Sequence, residues 1–257
     1  MSDRAKAFLC ARTMATESLY VLRSKHLGNE RNVWIRLPAQ TGDSCSLVVF
    51  LDAELYRDRV GANVVIDDLE SRGVVRPSFY VFVSSQSIES RWRECPCYPP
   101  FARFINDELV PWIEDVIPEA KAESKRVIAG LSYTGLAAAF VALDGKSSFA
   151  KVIAQSGSFW SNQCWLTREY RSKEMARPAD FYLDVGLDET ATNVRHKEYV
   201  LQDISQIEGV QGFRDVLLAR GYAVNYIEFQ GGHDTACWRT TLPIALEWAL
   251  SAGLPRG

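Results

Sequence analysis

The stretch KRVIAGLSYTGLAAAF, Lys125 to Phe140, decides the fold. Its first half is an apolar run rich in Val and Ile, and after Ser132 it passes directly into Ala-rich sequence of high helix propensity. Strand, sharp turn and helix is the reading that suits all three parts. A strand that ends in Gly-x-Ser and re-enters as a helix forms a strained turn, so the flanking residues must be small and the serine hydroxyl is left exposed. The helix that follows aims its first backbone N–H groups at whatever bonds to that oxygen. On its own, Gly-x-Ser is also what an ordinary tight turn contains, so its meaning depends on the rest of the chain.

Working outward, the parts alternate. Ser18 to His26 and Arg31 to Pro38 carry alternating apolar residues around the polar turn Leu27-Gly28-Asn29-Glu30, which predicts an antiparallel hairpin. Ser46 to Leu51 is a continuous apolar run ending at Asp52, as expected of a strand covered on both faces. Val60 to Arg72 reads as a helix with Val64, Val65, Ile66 and Leu69 inward, and Phe79 to Val83 as a further buried strand. Ser84 to Pro100 reads as a long irregular segment, too rich in aromatic and charged residues to be a linker. A helix is expected over Phe101 to Val116, with Phe104, Ile105, Leu109, Trp112 and Ile113 at helical spacing.

Downstream of the opening stretch, Ala150 to Ala154 is a strand that runs into the turn Gln155-Ser156-Gly157-Ser158-Phe159-Trp160. Ser161 to Pro178 has no clean period. Phe181 to Val185 is a strand ending at Gly186-Leu187-Asp188-Glu189, and an amphipathic helix from about His196 to Arg220 leads to strand Ala223 to Phe229. Gly231-Gly232-His233-Asp234 follows, and Thr241 to Leu250 closes the chain as a helix. Strands alternating with helices imply an α/β fold: a three-layer sandwich whose mostly parallel sheet is opened by an antiparallel hairpin, in one domain over residues 1–257.

Composition narrows the functional classes. The chain has 257 residues, 47% hydrophobic and 24% charged, and a net charge of -3, so neither nucleic acid nor a membrane surface is an expected partner. The N-terminus has only a brief apolar patch at Ala7 to Cys10, and no run approaches a membrane span, so a cytoplasmic protein is expected. Six scattered cysteines (Cys10, Cys45, Cys95, Cys97, Cys164, Cys237) read as free thiols. The Cys95-Pro-Cys97 spacing suits neither a redox nor a zinc pair, so no metal and no cofactor are expected. The oligomeric state is left open.

In a parallel sheet, functional groups gather just past the carboxyl ends of strands. Ser132, then Asp188 or Glu189, then His233 meet that test in chain order, the order of a Ser-acid-His triad on this class of sheet. The chemistry needs these types, because a serine hydroxyl attacks weakly unless an imidazole takes its proton and a carboxylate fixes that imidazole's tautomer. Of three histidines, His26 lies in the hairpin and His196 at the start of the expected helix, so His233 is the candidate base.

These residues carry a resemblance. RNVWIRLP, VVFLDAELY, Arg91-x-x-Glu94 followed by Pro96-Cys97, ELVPWI, VIAGLSYTGLAAA, QSGSFW, GLDE and GGHDTACWR are similar to the single-domain esterases of the enterochelin (enterobactin) esterase type, in the esterase D-like group of α/β-hydrolases, over about Ser18 to Leu250. Such enzymes hydrolyse the esters of a tri-catecholate siderophore lactone, some as the ferric complex, to release iron. The resemblance implies Ser132 as nucleophile, His233 as base and Glu189 as acid, with Asp188 beside it as competitor. It places the oxyanion on the backbone N–H of Tyr133 and of Ala53 or Glu54. Substrate selection falls to Arg91, Trp92, Arg93, Phe159, Trp160, Trp238 and Arg239, since guanidinium groups suit anions and aromatic faces suit catechol rings.

The chain departs from the family at Thr134 and Ala53, where glycine is common, and by the resemblance it is expected to match the shorter members, which have no separate N-terminal domain. An ordinary acyl, formyl or feruloyl-type ester is the second expected substrate. A hydrolase-fold protein that only binds is the third reading.

Overall fold

A computed structural model of the chain describes residues 15–39, 45–121, 126–174 and 178–251. The patch at Ala7 to Cys10 lies outside them. Strands β1 (Thr16–Ser24) and β2 (Asn29–Leu37) form the opening hairpin, and its turn occupies 25–28, two residues earlier than the sequence suggests. Gly28 closes that turn at φ 65°, which frees Asn29 and Glu30 to join β2.

The main sheet has eight strands in the order β1-β2-β4-β3-β5-β6-β7-β10. Here β3 is Leu47–Leu51, β4 Phe79–Val83, β5 Arg126–Leu131, β6 Lys151–Gln155, β7 Asp180–Gly186 and β10 Ala223–Phe229. The pairs from β4 to β10 are parallel, and only β1–β2 and β2–β4 are antiparallel. Every residue of β3, β4 and β5 is buried, which explains their unbroken apolar runs.

Helices cover both faces. On one lie α1 (Ala62–Ser71) and α8 (Thr235–Leu250), packing Ile66, Leu69, Leu242 and Leu246 onto the sheet. On the other lie α3 (Pro99–Arg103), a π-helical turn (Phe104–Leu109), α4 (Val110–Val116), α5 (Tyr133–Ala142), α6 (Ser161–Tyr170) and α7 (Gln206–Ala219). Because α5 is sandwiched between other elements, it is apolar nearly all round rather than striped.

Four differences from the sequence reading have local causes. In α1 the inward stripe is Ala62, Ile66 and Leu69, so Val64 points to solvent at 74% exposure. Within 84–100 stands a short helix, α2 (Ile88–Glu94), started by the Ser87 hydroxyl accepting the Ser90 N–H. The helix expected from His196 is instead a small hairpin, β8 (Val194–Lys197) and β9 (Val200–Gln202), followed by α7. Ser205 and Glu208 form a capping box that sets where α7 begins. Finally, α8 begins at Thr235, six residues before the expected start, because the Asp234 carboxylate accepts the Ala236 and Cys237 N–H groups. Among the described residues the cysteines are free, no helix is long and apolar enough to cross a membrane, and no group of side chains suits a metal ion.

One buried carboxyl stands under the carboxyl edge of the sheet. Asp184, on β7, is fully buried, accepts the Ser156 N–H at 2.9 Å and has the Tyr182 and Thr241 hydroxyls beside it. Burial pushes its pKa up to about 7, with the Glu189 charge adding to the rise. An unfolded Asp loses its proton near 3.9, so between about pH 4 and 7 the native state holds a proton that the unfolded state has released, and stability falls as pH rises. Asp184→Asn keeps the acceptor for Ser156 and removes the titration. In urea unfolding, the variant is expected to gain on wild type by a few kcal/mol between pH 4 and 7. A difference that stays flat with pH contradicts the assignment.

Candidate active site

The elbow is built by exclusion. A Cβ on Gly130 would sit 2.0 Å from the Thr134 carbonyl oxygen, so no side chain fits where β5 passes under the first turn of α5. Ser132 takes φ 53° and ψ -123°, a conformation costly for a non-glycine residue. Its backbone is held on both sides: the N–H donates to the Gln155 carbonyl at 2.8 Å, and the carbonyl accepts the Ser158 N–H at 3.0 Å. Thr134 adds a clamp, with its hydroxyl donating to the Leu131 carbonyl at 2.8 Å and accepting the Leu131 N–H at 3.0 Å. The β-branched residue that departs from the family pattern thus closes the elbow through its side chain.

The three strand ends converge. His233 Nε2 lies 2.9 Å from Ser132 Oγ, and His233 Nδ1 lies 2.6 Å from Glu189 Oε2. The other Glu189 oxygen accepts the Ser156 hydroxyl at 2.7 Å and the Gly186 N–H at 2.8 Å. The Glu189 side chain is 1% exposed and that of His233 39%. Asp188 is exposed and lines the cleft beside His233, and its backbone N–H donates to the Gly231 carbonyl. A Cβ on Gly186 would lie 2.3 Å from that same carbonyl, so the acid loop and the His loop dock through glycine. The arrangement can pass a proton from Ser132 to an imidazole whose tautomer is fixed by a carboxylate.

Across the cleft, Asp52 ends β3 at φ 71° and turns the chain into the π-helical turn Glu54–Val60. Its carboxylate accepts the Ser85 hydroxyl at 3.0 Å and Arg91 Nε at 2.6 Å. Burial pulls the Arg91 pKa down most strongly, but the Asp52 charge, its hydrogen bond and the nearby Cys95 and Tyr133 together outweigh it and hold the guanidinium above its ordinary value. Glu54 is tied down by the Ser84 hydroxyl and the Ser85 N–H. This fixes the backbone of Asp52, Ala53 and Glu54 opposite Ser132, while Tyr133 opens α5 with a first-turn N–H that has no partner within the helix.

Two hollows meet at Ser132, Arg91, Trp92 and His233. One, about 400 Å³, is walled by Trp92, Tyr133, Trp160, His196, Gln202 and Gln206. The other, about 470 Å³, includes Leu55, Ser87, Ile88 and Trp238, with Trp238 edge-on to His233 at 4.9 Å. The remaining expected recognition residues lie elsewhere. Phe159 stacks on Phe213 in the core at 4.1 Å. Arg93 points outward and pairs with Glu94, whose other oxygen holds the buried Arg31. Arg239 binds the carbonyls of Arg59 and Val60 at the end of the π-helical turn.

His196, Gln202 and Gln206 were hidden by the helical reading of 196–220. In place, the His196 ring lies parallel to Trp160 at 5.0 Å and its Nε2 is 2.9 Å from Gln202 Oε1. The turn residues Glu198-Tyr199 and the Ser205-x-x-Glu208 cap were the signals for a hairpin before a later helix.

The chain is similar to known esterases. It is 26% identical over 238 residues to an iron(III) enterobactin esterase of Dickeya dadantii, covering 91% of this chain and 55% of that protein. It thus spans about half the length of the curated relatives it matches. The enterobactin esterase of Shigella flexneri solved in the presence of enterobactin superposes with a TM-score of 0.79 at 25% identity, over 91% of this chain and 58% of that one. A ferulic acid esterase shares the fold at 19% identity with a TM-score of 0.72, over 92% of this chain and 98% of its own. A family model described as "Putative esterase" matches residues 24–249, and the chain belongs to that esterase family.

Proposed function

We propose that the protein is a serine carboxyl-ester hydrolase acting on the ester bonds that join the hydroxy-acid units of a catecholate siderophore trilactone, with an ordinary acyl or aryl ester as the alternative substrate. The observation that carries the reading is the unbroken line from Ser132 Oγ through His233 to the buried Glu189, at 2.9 and 2.6 Å. In this reading His233 Nε2 takes the Ser132 proton and the alkoxide attacks the ester carbonyl. The oxyanion is held by the N–H of Tyr133 and of Ala53 or Glu54. His233 returns the proton to the leaving alcohol, then activates the water that frees the acid from the acyl-enzyme. Glu189, rather than Asp188, is the acid that orients and steadies the imidazole, because it alone of the two is buried against His233.

The aromatic preference rests on Trp92, Trp160 and Tyr133 beside Ser132, with Arg91 among them. Aromatic faces offset or edge-on to a catechol ring contribute about 0.5–1.5 kcal/mol each beyond burial. The relatives named as enterobactin esterases support the trilactone. The more apolar second hollow, with Leu55, Ile88 and Trp238, favours instead an uncharged aryl or acyl ester as the competing substrate.

Ser132→Ala and His233→Ala are each expected to lower kcat on p-nitrophenyl acetate by at least ~10³, while Glu189→Gln lowers it by ~10² or more and Asp188→Asn by less than a few-fold. Steady-state kinetics on the four purified variants checks this, and a large loss in Asp188→Asn with activity retained in Glu189→Gln reverses the acid assignment.

Wild type is also expected to cleave a tri-catecholate trilactone, iron-free or iron-loaded, with kcat/KM at least ~10-fold above p-nitrophenyl butyrate, and Trp92→Ala is expected to narrow that ratio. Chromatographic assay of the released monomers reads it. Comparable or better turnover of the neutral aryl ester rejects the siderophore and leaves the hydrolase.

A further inference from the structure

The two edges of the main sheet are not treated alike. At one, β10 is half-buried along most of its length. At the other, β1 presents six consecutive exposed residues, Thr16 to Val21, in a nine-residue edge strand that pairs, among the described residues, only with β2. Leu19 is 55% exposed and Val21 63%, both on the same side of the strand, and β1 contains no proline, lysine or glycine. A long, flat edge with outward apolar side chains is a template for another strand, and proteins that keep such an edge usually pair it.

The sequence of β1 says which strand. In an antiparallel pair, opposed residues both turn their backbone groups toward the partner or both turn them away, so a strand pairs with its own copy only when the two-fold axis passes through a residue. Centring the axis on Tyr20 sets Glu17 opposite Arg23, Leu19 opposite Val21, Ser18 opposite Leu22 and Thr16 opposite Ser24, each twice, and Tyr20 opposite itself. Centring on Leu19 faces Glu17 with Val21, and centring on Val21 faces Leu19 with Arg23, so either shift sets charges against apolar groups. Glu17 is already held in place, accepting hydrogen bonds from Arg57 and from Asn63, and so meets Arg23 of the second copy without further ordering. Tyr20 is braced likewise, edge-on to Trp112 at 5.4 Å.

We propose that β1 is a self-complementary interface at which a second copy of this chain pairs antiparallel about Tyr20, joining two eight-stranded sheets into one. The two clefts then open away from the junction, since the site residues come from β3, β5, β6, β7 and β10 and the connections that follow them. Pairing here withdraws Leu19 and Val21 from water and satisfies the free backbone groups of the edge.

Sedimentation velocity on the full chain from ~1 to ~100 μM reads the association, and Val21→Lys tests it on a side chain that is 63% exposed in the single chain. The expected result is a wild-type dimer and a Val21→Lys variant that associates at least ~10-fold more weakly, with unchanged circular dichroism and melting temperature. Mild oxidation of Tyr20→Cys is expected to give a covalent dimer, since directly opposed Cα atoms about 4.5–5.5 Å apart suit a disulfide. A wild type that sediments as a monomer throughout overturns the proposal, as does a dimer indifferent to Val21→Lys. Cross-linking through Leu19→Cys or Val21→Cys in preference to Tyr20→Cys overturns the register.

Discussion

The constraint on which the rest depends is the passage of β5 beneath α5 at Gly130 and Thr134, where two backbones approach so closely that only glycine fits. That approach forces Ser132 into its strained conformation, which costs on the order of 1–3 kcal/mol and persists only if its surroundings over-determine it. They do so redundantly. Thr134 bonds both backbone groups of Leu131, Gln155 and Ser158 hold Ser132 from β6 and its loop, and α5 is buried along Leu136 to Ala139. Gly135 completes the fit by lying against Gly157 and Ala154, so α5 seats on β6 as well as β5.

Below the elbow a polar scaffold replaces apolar packing. Gln155 accepts the Tyr56 hydroxyl at 3.0 Å and donates to the Trp238 carbonyl and the Thr241 hydroxyl. One side chain therefore ties the turn after β3, the end of β6 and the helix that carries the His loop. Beside it Asp184 holds Ser156, and Ser156 holds Glu189. Buried polar groups are costly unless paired, and Gln155, Ser156 and Glu189 are paired across four strand ends. The relative positions of Ser132, His233 and Glu189 are thereby set by buried side chains rather than by the loops themselves.

This division explains what the sequence disclosed. Strand ends buried on both faces leave an unmistakable pattern, so β3, β4, β5, β6, β7 and the order Ser132, then Asp188 or Glu189, then His233 were legible without a structure. The choice of Glu189 over Asp188 was not legible from spacing, because adjacent residues on a turn differ only in which way they face, and that depends on the docking of Gly186 against Gly231. The segment 196–205 misled because Val200, Leu201 and Ile204 also satisfy a helical period, while the hairpin is stabilised by contacts with Trp160 and Trp92 far away in the chain. Arg239 and Phe159 were misplaced for the opposite reason. A motif shows that residues recur together, and both do sit next to site residues, yet one closes off the turn after β3 and the other fills the core.

Chemistry and recognition consequently have different supports. The Ser132, His233 and Glu189 side chains stand on a sheet edge whose fixings are internal, whereas Trp92 rides on the short helix α2 and His196 on an exposed two-stranded hairpin. Lys197 lies over the Trp92 ring at 5.0 Å, so the hairpin and α2 touch through a cation–π contact across the mouth of the cleft. Substitutions in either segment can reshape the mouth of the cleft without disturbing the hydrogen bonds among Ser132, His233 and Glu189. A fold that holds its buried polar groups from beneath can in this way keep their geometry while the walls above are exchanged, so the same architecture can carry differently shaped clefts.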